Sequence, residues 1–229
     1  MMNLGAMHAV WQSLTVATLA TALALPAALA TAWVLTRTQW RGRTVLRGLT
    51  LLPLVMPPVV TGYLLLMVFS PKRFLGAALE SLGFPVAFHW LGAVVAAAVV
   101  GFPLLVMLVS EAFRSVDVRL EKMSEALGRS PWQTFWRVTM PLAWPGVAAG
   151  AVLAFARSLG EFGATIVLAG HVVGETETIP LAVHAALDVP GAEHLVWWLT
   201  GASVLLGVGA VLLYQRLSDG HRRRLELDS

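Results

Sequence analysis

Five long apolar stretches, at residues 9–35, 46–69, 91–109, 144–169 and 195–213, constrain this chain more than any other feature of its sequence. Each is long enough to cross a hydrocarbon core of about 30 Å at about 1.5 Å per helical residue. Inside lipid only helices or closed barrels satisfy the backbone, and these stretches lack the alternation of barrel strands. The expectation is an all-α integral membrane protein, a single transmembrane domain over residues 1–229. Composition agrees, since 57% of the residues are hydrophobic and 13% charged, against about 25% charged in soluble domains. The first stretch resembles a secretory signal around Ala28-Leu29-Ala30, yet no Lys or Arg precedes it and it is long for a signal core. It is expected to remain as the first helix.

A net charge of +3 would suit nucleic acid, but the positions of the basic residues argue for membrane topology instead. Segments 37–47, 114–137 and 216–224 hold 13 of the 16 Lys and Arg, whereas the opposite side would carry only Lys72 and Arg73. The positive-inside rule therefore predicts an outer N-terminus and a cytoplasmic C-terminus. No nucleic-acid partner is expected. Without cysteines there are no disulfides or thiolate metal sites. The histidines lack metal-ligand spacing, and His171, His184 and His194 are expected at the outer surface.

The cytoplasmic loop at about 110–143 carries the sharpest local signals. Asp117 can cap a short helix on which Leu120, Met123 and Leu127 share a face, and Gly128 can end it. Ser130, Pro131 and Gln133 then form a fresh helix start, with Trp132, Phe135 and Trp136 as an apolar face. Pro141 and Pro145 are expected to mark the return into the membrane. Such an elbow either docks into a groove of a partner or lies on the lipid surface, and spacing alone leaves both open.

Inside the spans, Arg157 and Glu161 lie four residues apart, on one face of a helix. Two readings stand: a structural ion pair, or groups lining a wet route. Gly160 and Gly163 suit close helix approach. Pro53, Pro57 and Pro58 remove backbone donors from the second span, giving either a kinked sealed helix or a break along a pathway.

Gly128, followed ten residues later by Val138-Thr139-Met140-Pro141, resembles the coupling-loop motif of ABC-importer permeases, a Gly and then Ile-x-Leu-Pro. That family's Glu-Ala-Ala triplet falls here on Lys122-Met123-Ser124, with glutamates at Glu121 and Glu125. Residues 115–121 with Ala126-Leu127-Gly128, residues 52–63, and residues 156–165 with Gly174-Glu175-Thr176 and Thr178-Ile179-Pro180 are similar to the molybdate branch. The Gly160-Glu161-Phe162-Gly163 core is shared with sulfate permeases. The resemblance covers about residues 10–216 and implies the ABC-importer permease fold in a bacterial inner membrane.

It implies a homodimeric permease that carries molybdate, or a related oxyanion such as tungstate or sulfate, with an external binding protein and two cytoplasmic ATPase subunits. Those subunits would bind ATP and Mg2+, leaving this chain without a cofactor. ATPase coupling would fall on Glu121, Glu125, Ala126, Gly128, Ser130, Pro131, Trp132, Val138 and Pro141. The translocation path would involve Pro57, Pro58, Arg157, Gly160, Glu161, Phe162 and Gly163.

Two other classes fit less well. An ATP-binding loop needs Lys followed by Ser or Thr, but Lys72 precedes Arg73 and Lys122 precedes Met123. An intramembrane enzyme would need a nucleophile with a base, or metal ligands, at membrane depth, and no span offers a histidine or paired carboxylates. An ion-coupled carrier would use Arg157 and Glu161 but leaves the elbow without a task.

Overall fold

In the computed structural model, which describes residues 2–227 with side-chain surroundings for 5–218, every regular element is helical. In chain order the helices are α1 (Met2–Arg37), α2 (Arg43–Val55), α3 (Pro58–Phe69), α4 (Phe74–Ser81), α5 (Trp90–Arg114), α6 (Val118–Ala126) and α7 (Pro131–Thr134). A π turn over Phe135–Thr139 leads into α8 (Met140–Leu159), followed by α9 (Gly163–Leu168), α10 (Ile179–Leu187) and α11 (Glu193–Leu227). The basic tail at 222–224 lies outside the residues whose side chains are described.

Four helical runs are long and apolar enough to span a bilayer: Gly5–Arg37, Trp90–Arg114, Pro131–Leu159 and Glu193–Ser218. The central layer is α1 on α5 and α5 on α8, with α11 against α8. Small side chains permit this packing. Ala20, Ala24, Ala28 and Ala32 recur every fourth residue along α1, and all are buried. With no hydrophobic drive between helices in lipid, close van der Waals packing holds them together. Toward the elbow end this stripe meets Leu105, Val106 and Val109 of α5 and Val147 of α8.

Two of the expected spans are not continuous helices. The stretch 46–69 is divided into α2 and α3, which meet at 114°. Clash with a proline ring drives the preceding residue out of the α region, and here two residues in succession precede a proline. Met56 (ψ 144°) and Pro57 (ψ 133°) are both extended, and Pro58 then opens α3. The stretch 144–169 also breaks, at Gly160–Phe162, leaving α9 as a separate short helix. Hydropathy misses this break because both sides of it are apolar.

The elbow is the third difference. The helix does not pause at Pro141 on its return to the membrane, since Pro131–Leu159 is one run. Proline lacks an N–H and crowds the carbonyl four residues back. The π turn just before Pro141 widens the helix there and lets it continue.

At the opposite end of the bundle, the connection between α9 and α10 is held onto α1. The Ser13 hydroxyl accepts from the Ile179 N–H at 2.7 Å, and Gln12 donates to the Glu175 carbonyl at 3.0 Å. His184 and His194 are exposed, while His171 is half-buried beside Glu177 at 3.4 Å. Single cysteines replacing the exposed Ser130 and Val173 should react with an impermeant thiol reagent from opposite faces of the membrane. Labelling of both from one face would contradict a bundle that crosses the bilayer.

Candidate functional site: a coupling elbow and a paired helix break

The elbow is built as its sequence suggests. Asp117 caps α6 by accepting from the Arg119 N–H at 2.8 Å. Gly128 takes φ +88°, a left-handed conformation that ends the helix. Ser130 and Gln133 form a reciprocal capping box, with Pro131 at the first helical position. Leu120, Met123 and Leu127 do share a face, and that face is outward, Leu127 being 83% exposed. Glu125 and Ala126 are exposed beside them. Trp132 is 70% exposed and Trp136 is also outward, but Phe135 is buried. Phe135 packs edge-on against Trp33 and Phe113 at 4.9 and 5.9 Å. The expected three-aromatic face is therefore two knobs and an anchor. Of the remaining motif residues, Val138 is half-buried and Pro141 is exposed.

The inward face of the elbow is polar. Glu121 is 7% exposed, and one oxygen of its carboxylate accepts from Arg37 Nε at 3.1 Å, Arg37 Nη2 at 2.9 Å and the Thr139 hydroxyl at 2.8 Å. Arg37 Nη2 also donates to the carbonyls of Phe113 at 2.7 Å and Val116 at 3.3 Å. Those carbonyls lie at the C-terminal end of α5, where a cation is favoured. Deeper in the elbow, the Ser124 and Thr134 hydroxyls are 3.0 Å apart. Sequence reasoning placed Glu121 among partner-facing residues and counted Arg37 only as a topological charge. A bond joining residues 84 apart has no local signature.

The second constellation forms where the two broken spans meet. Here α3 lies along α9, and Gly163 sits against Pro58 and Val59. A Cβ at Gly163 would approach Pro58 Cβ to 2.8 Å, and one at Gly62 would approach the Ala164 carbonyl to 2.7 Å. The structure thus brings Pro58 and Gly163 together from positions more than a hundred residues apart, with Pro57 exposed at the bend. Gly160 is exposed at the end of α8.

Glu161 lies beyond α8 rather than on its face. Its carboxylate reaches back to Arg157 Nη1 at 3.0 Å and forward to accept from the Ala164 N–H at 2.9 Å. One buried side chain therefore ties the ends of both helices across the break. The Arg157 side chain remains 37% exposed. Phe162 stacks on His184 of α10 with ring centroids 5.0 Å apart. Among the described residues no cluster of His, Asp and Glu could hold a metal ion.

Comparison with known proteins places a bundle with this elbow and this pair of interrupted helices among transport components of the inner membrane. Residues 20–223 match the family described as binding-protein-dependent transport system inner membrane component, and the chain belongs to that family. It is 42% identical over 214 residues to the molybdenum transport system permease protein ModB of Haemophilus influenzae, covering 93% of each chain. It is 43% identical over 218 residues to that of Escherichia coli, covering 95% of each. To the sulfate transport system permease protein CysT of Escherichia coli it is 38% identical over 178 residues, 76% of this chain and 64% of that one. Its fold matches a bacterial ABC transporter that imports alginate, with a TM-score of 0.67 at 20% identity over 95% of this chain and 79% of that one. It also matches the MetNI methionine ABC transporter, with a TM-score of 0.67 at 16% identity over 97% and 95%.

Gly163→Val should force α9 away from α3. Overpacking of this kind costs about 1–3 kcal/mol, so the Tm of the purified protein should fall by several degrees. An unchanged Tm would show that the two breaks are not in close contact.

Proposed function

We propose that this chain is the permease subunit of an ATP-driven importer and provides the route for molybdate into the cell. The observation that carries this reading is the inside-out elbow, with its polar face bonded into the bundle and its apolar face free. Exposed Leu120, Met123, Leu127 and Trp132 suit a hydrophobic groove on a soluble partner. In this reading that partner is a cytoplasmic ATPase, which binds ATP and Mg2+, and Glu125, Ala126, Gly128, Ser130 and Pro131 complete the docking edge. Val138 and Pro141 carry the elbow's position into the membrane helix. The chain works as a homodimer with two ATPase subunits and an external binding protein, with its N-terminus outside and lipid around its apolar flanks.

The paired break supplies the route. Broken helices persist at membrane depth where side chains or water satisfy the freed backbone. Pro57 and Gly160 lie exposed at the two breaks, Pro58, Phe162 and Gly163 flank them, and Arg157 and Glu161 supply a polar wall. Molybdate is favoured by the names of the relatives matched over nearly the whole chain. The related oxyanions tungstate and sulfate form the second reading, favoured by the likeness to sulfate permeases. Uptake of labelled molybdate by the reconstituted complex, challenged with tungstate and with sulfate, separates them. Competition by sulfate at equal concentration would favour the second.

Gly128→Val forces a β-branched residue into a left-handed conformation. It should weaken recovery of the ATPase or uncouple hydrolysis from uptake, with the helices still inserted. Normal recovery and normal uptake would remove the elbow from the coupling role. The double variant Arg157→Met with Glu161→Leu replaces the partly exposed ion pair by apolar groups and removes the acceptor of the Ala164 N–H. It should assemble with the ATPase yet import poorly, because a dry wall then faces a hydrated dianion. Full import would make the pair purely structural.

A further inference from the structure

Arg41, Arg43 and Arg47 have no carboxylate partner among the described residues. Arg37 differs from them. Its side chain is 12% exposed, and its guanidinium gathers three elements: its own α1, the C-terminal end of α5 through the carbonyls of Phe113 and Val116, and α6 through one oxygen of Glu121. Thr139 adds the start of α8 to the same oxygen. From this arrangement we infer that Arg37 is a positioning residue for energy coupling, which makes the elbow and the ends of α1, α5 and α8 move as one body. The inference rests on the ATPase-driven reading above.

Three features support it. The cluster lies on the inner face of the elbow, so it can transmit a displacement without contributing to docking on the outer face. Among the described residues, Arg37–Glu121 is the only ion pair that joins the elbow to another helix. Apolar pairs of similar volume often replace buried ion pairs without loss of stability, and buried charge is best attested as a device for register and switching. Here it fixes the register between the elbow and the bundle, and α8 carries that register on to Arg157 and the break.

The test measures anion imported per ATP hydrolysed by the complete complex in proteoliposomes, with molybdate as the probe. Arg37→Met combined with Glu121→Leu replaces the buried pair by apolar packing and leaves the docking face intact. It should assemble with the ATPase at the wild-type yield and hydrolyse ATP. Import per ATP should fall about tenfold, within the usual span of coupling free energies. Glu121→Gln, which keeps an acceptor for Thr139, should assemble and show a smaller loss. A wild-type ratio in the double variant overturns the inference. So does failure of both variants to assemble, because the cluster is then needed for folding alone. Failure of the wild-type chain to recover an ATPase would instead overturn the proposed function.

Discussion

The carboxylate of Glu121 must be satisfied where water does not reach, and the elbow end of the molecule is arranged around that need. Three donors converge on one of its oxygens, while the guanidinium that supplies two of them also caps the end of α5. Trp33, Phe113 and Phe135 form a set of edge-on contacts beside the cluster, and Arg37 lies 6.0 Å from the Trp33 ring centre. Such surroundings strengthen each hydrogen bond and raise the cost of losing any of them. The amphipathic arrangement of a soluble protein is thereby reversed, since α6 buries Glu121 and Ser124 and exposes Leu120 and Met123. Its exposed apolar side is the surface that the proposed ATPase partner would cover.

The two helix breaks solve a related problem by different means. At Met56 and Pro57 the backbone is driven out of the helix by proline sterics, and α3 restarts on a residue with no N–H to satisfy. At Gly160–Phe162 no proline is present, and Glu161 supplies the missing partner by accepting from the first turn of α9. The breaks lie together because Gly62 and Gly163 let the backbones touch. Placing both interruptions side by side gathers uncovered backbone into one region instead of scattering it along the lipid face.

Much of this was legible in the sequence, for reasons that differ from element to element. The caps at Asp117 and Ser130 and the left-handed Gly128 depend on residues within three or four positions, so local pattern reveals them. The length of α5 follows from an apolar run bounded by polar ends. The break after Leu159 was hidden because hydropathy reports the environment of side chains and is blind to backbone direction. Phe135 looked like its aromatic neighbours until its orientation toward Trp33 and Phe113 distinguished it. Arg157 and Glu161 do pair, as one of the two readings of their spacing allowed, although the continuous helix assumed between them does not exist. The Arg37–Glu121 bond was out of reach, since it depends on where α1 ends relative to α6 in space.

The unbroken run from Pro131 to Leu159 has a mechanical consequence. Its 29 residues make a rod about 43 Å long. Its near end is shared with the elbow and its far end adjoins the break. Pivoting such a rod by about 5° near the elbow sweeps the far end through about 4 Å, well beyond the 1–2 Å of many helix shifts. Because the π turn lets the helix pass Pro141, a single helical run joins the elbow to the break, and in the proposed coupling it would act as a lever. A small rotation at the elbow would then become a displacement wide enough to separate the touching backbones at its opposite end.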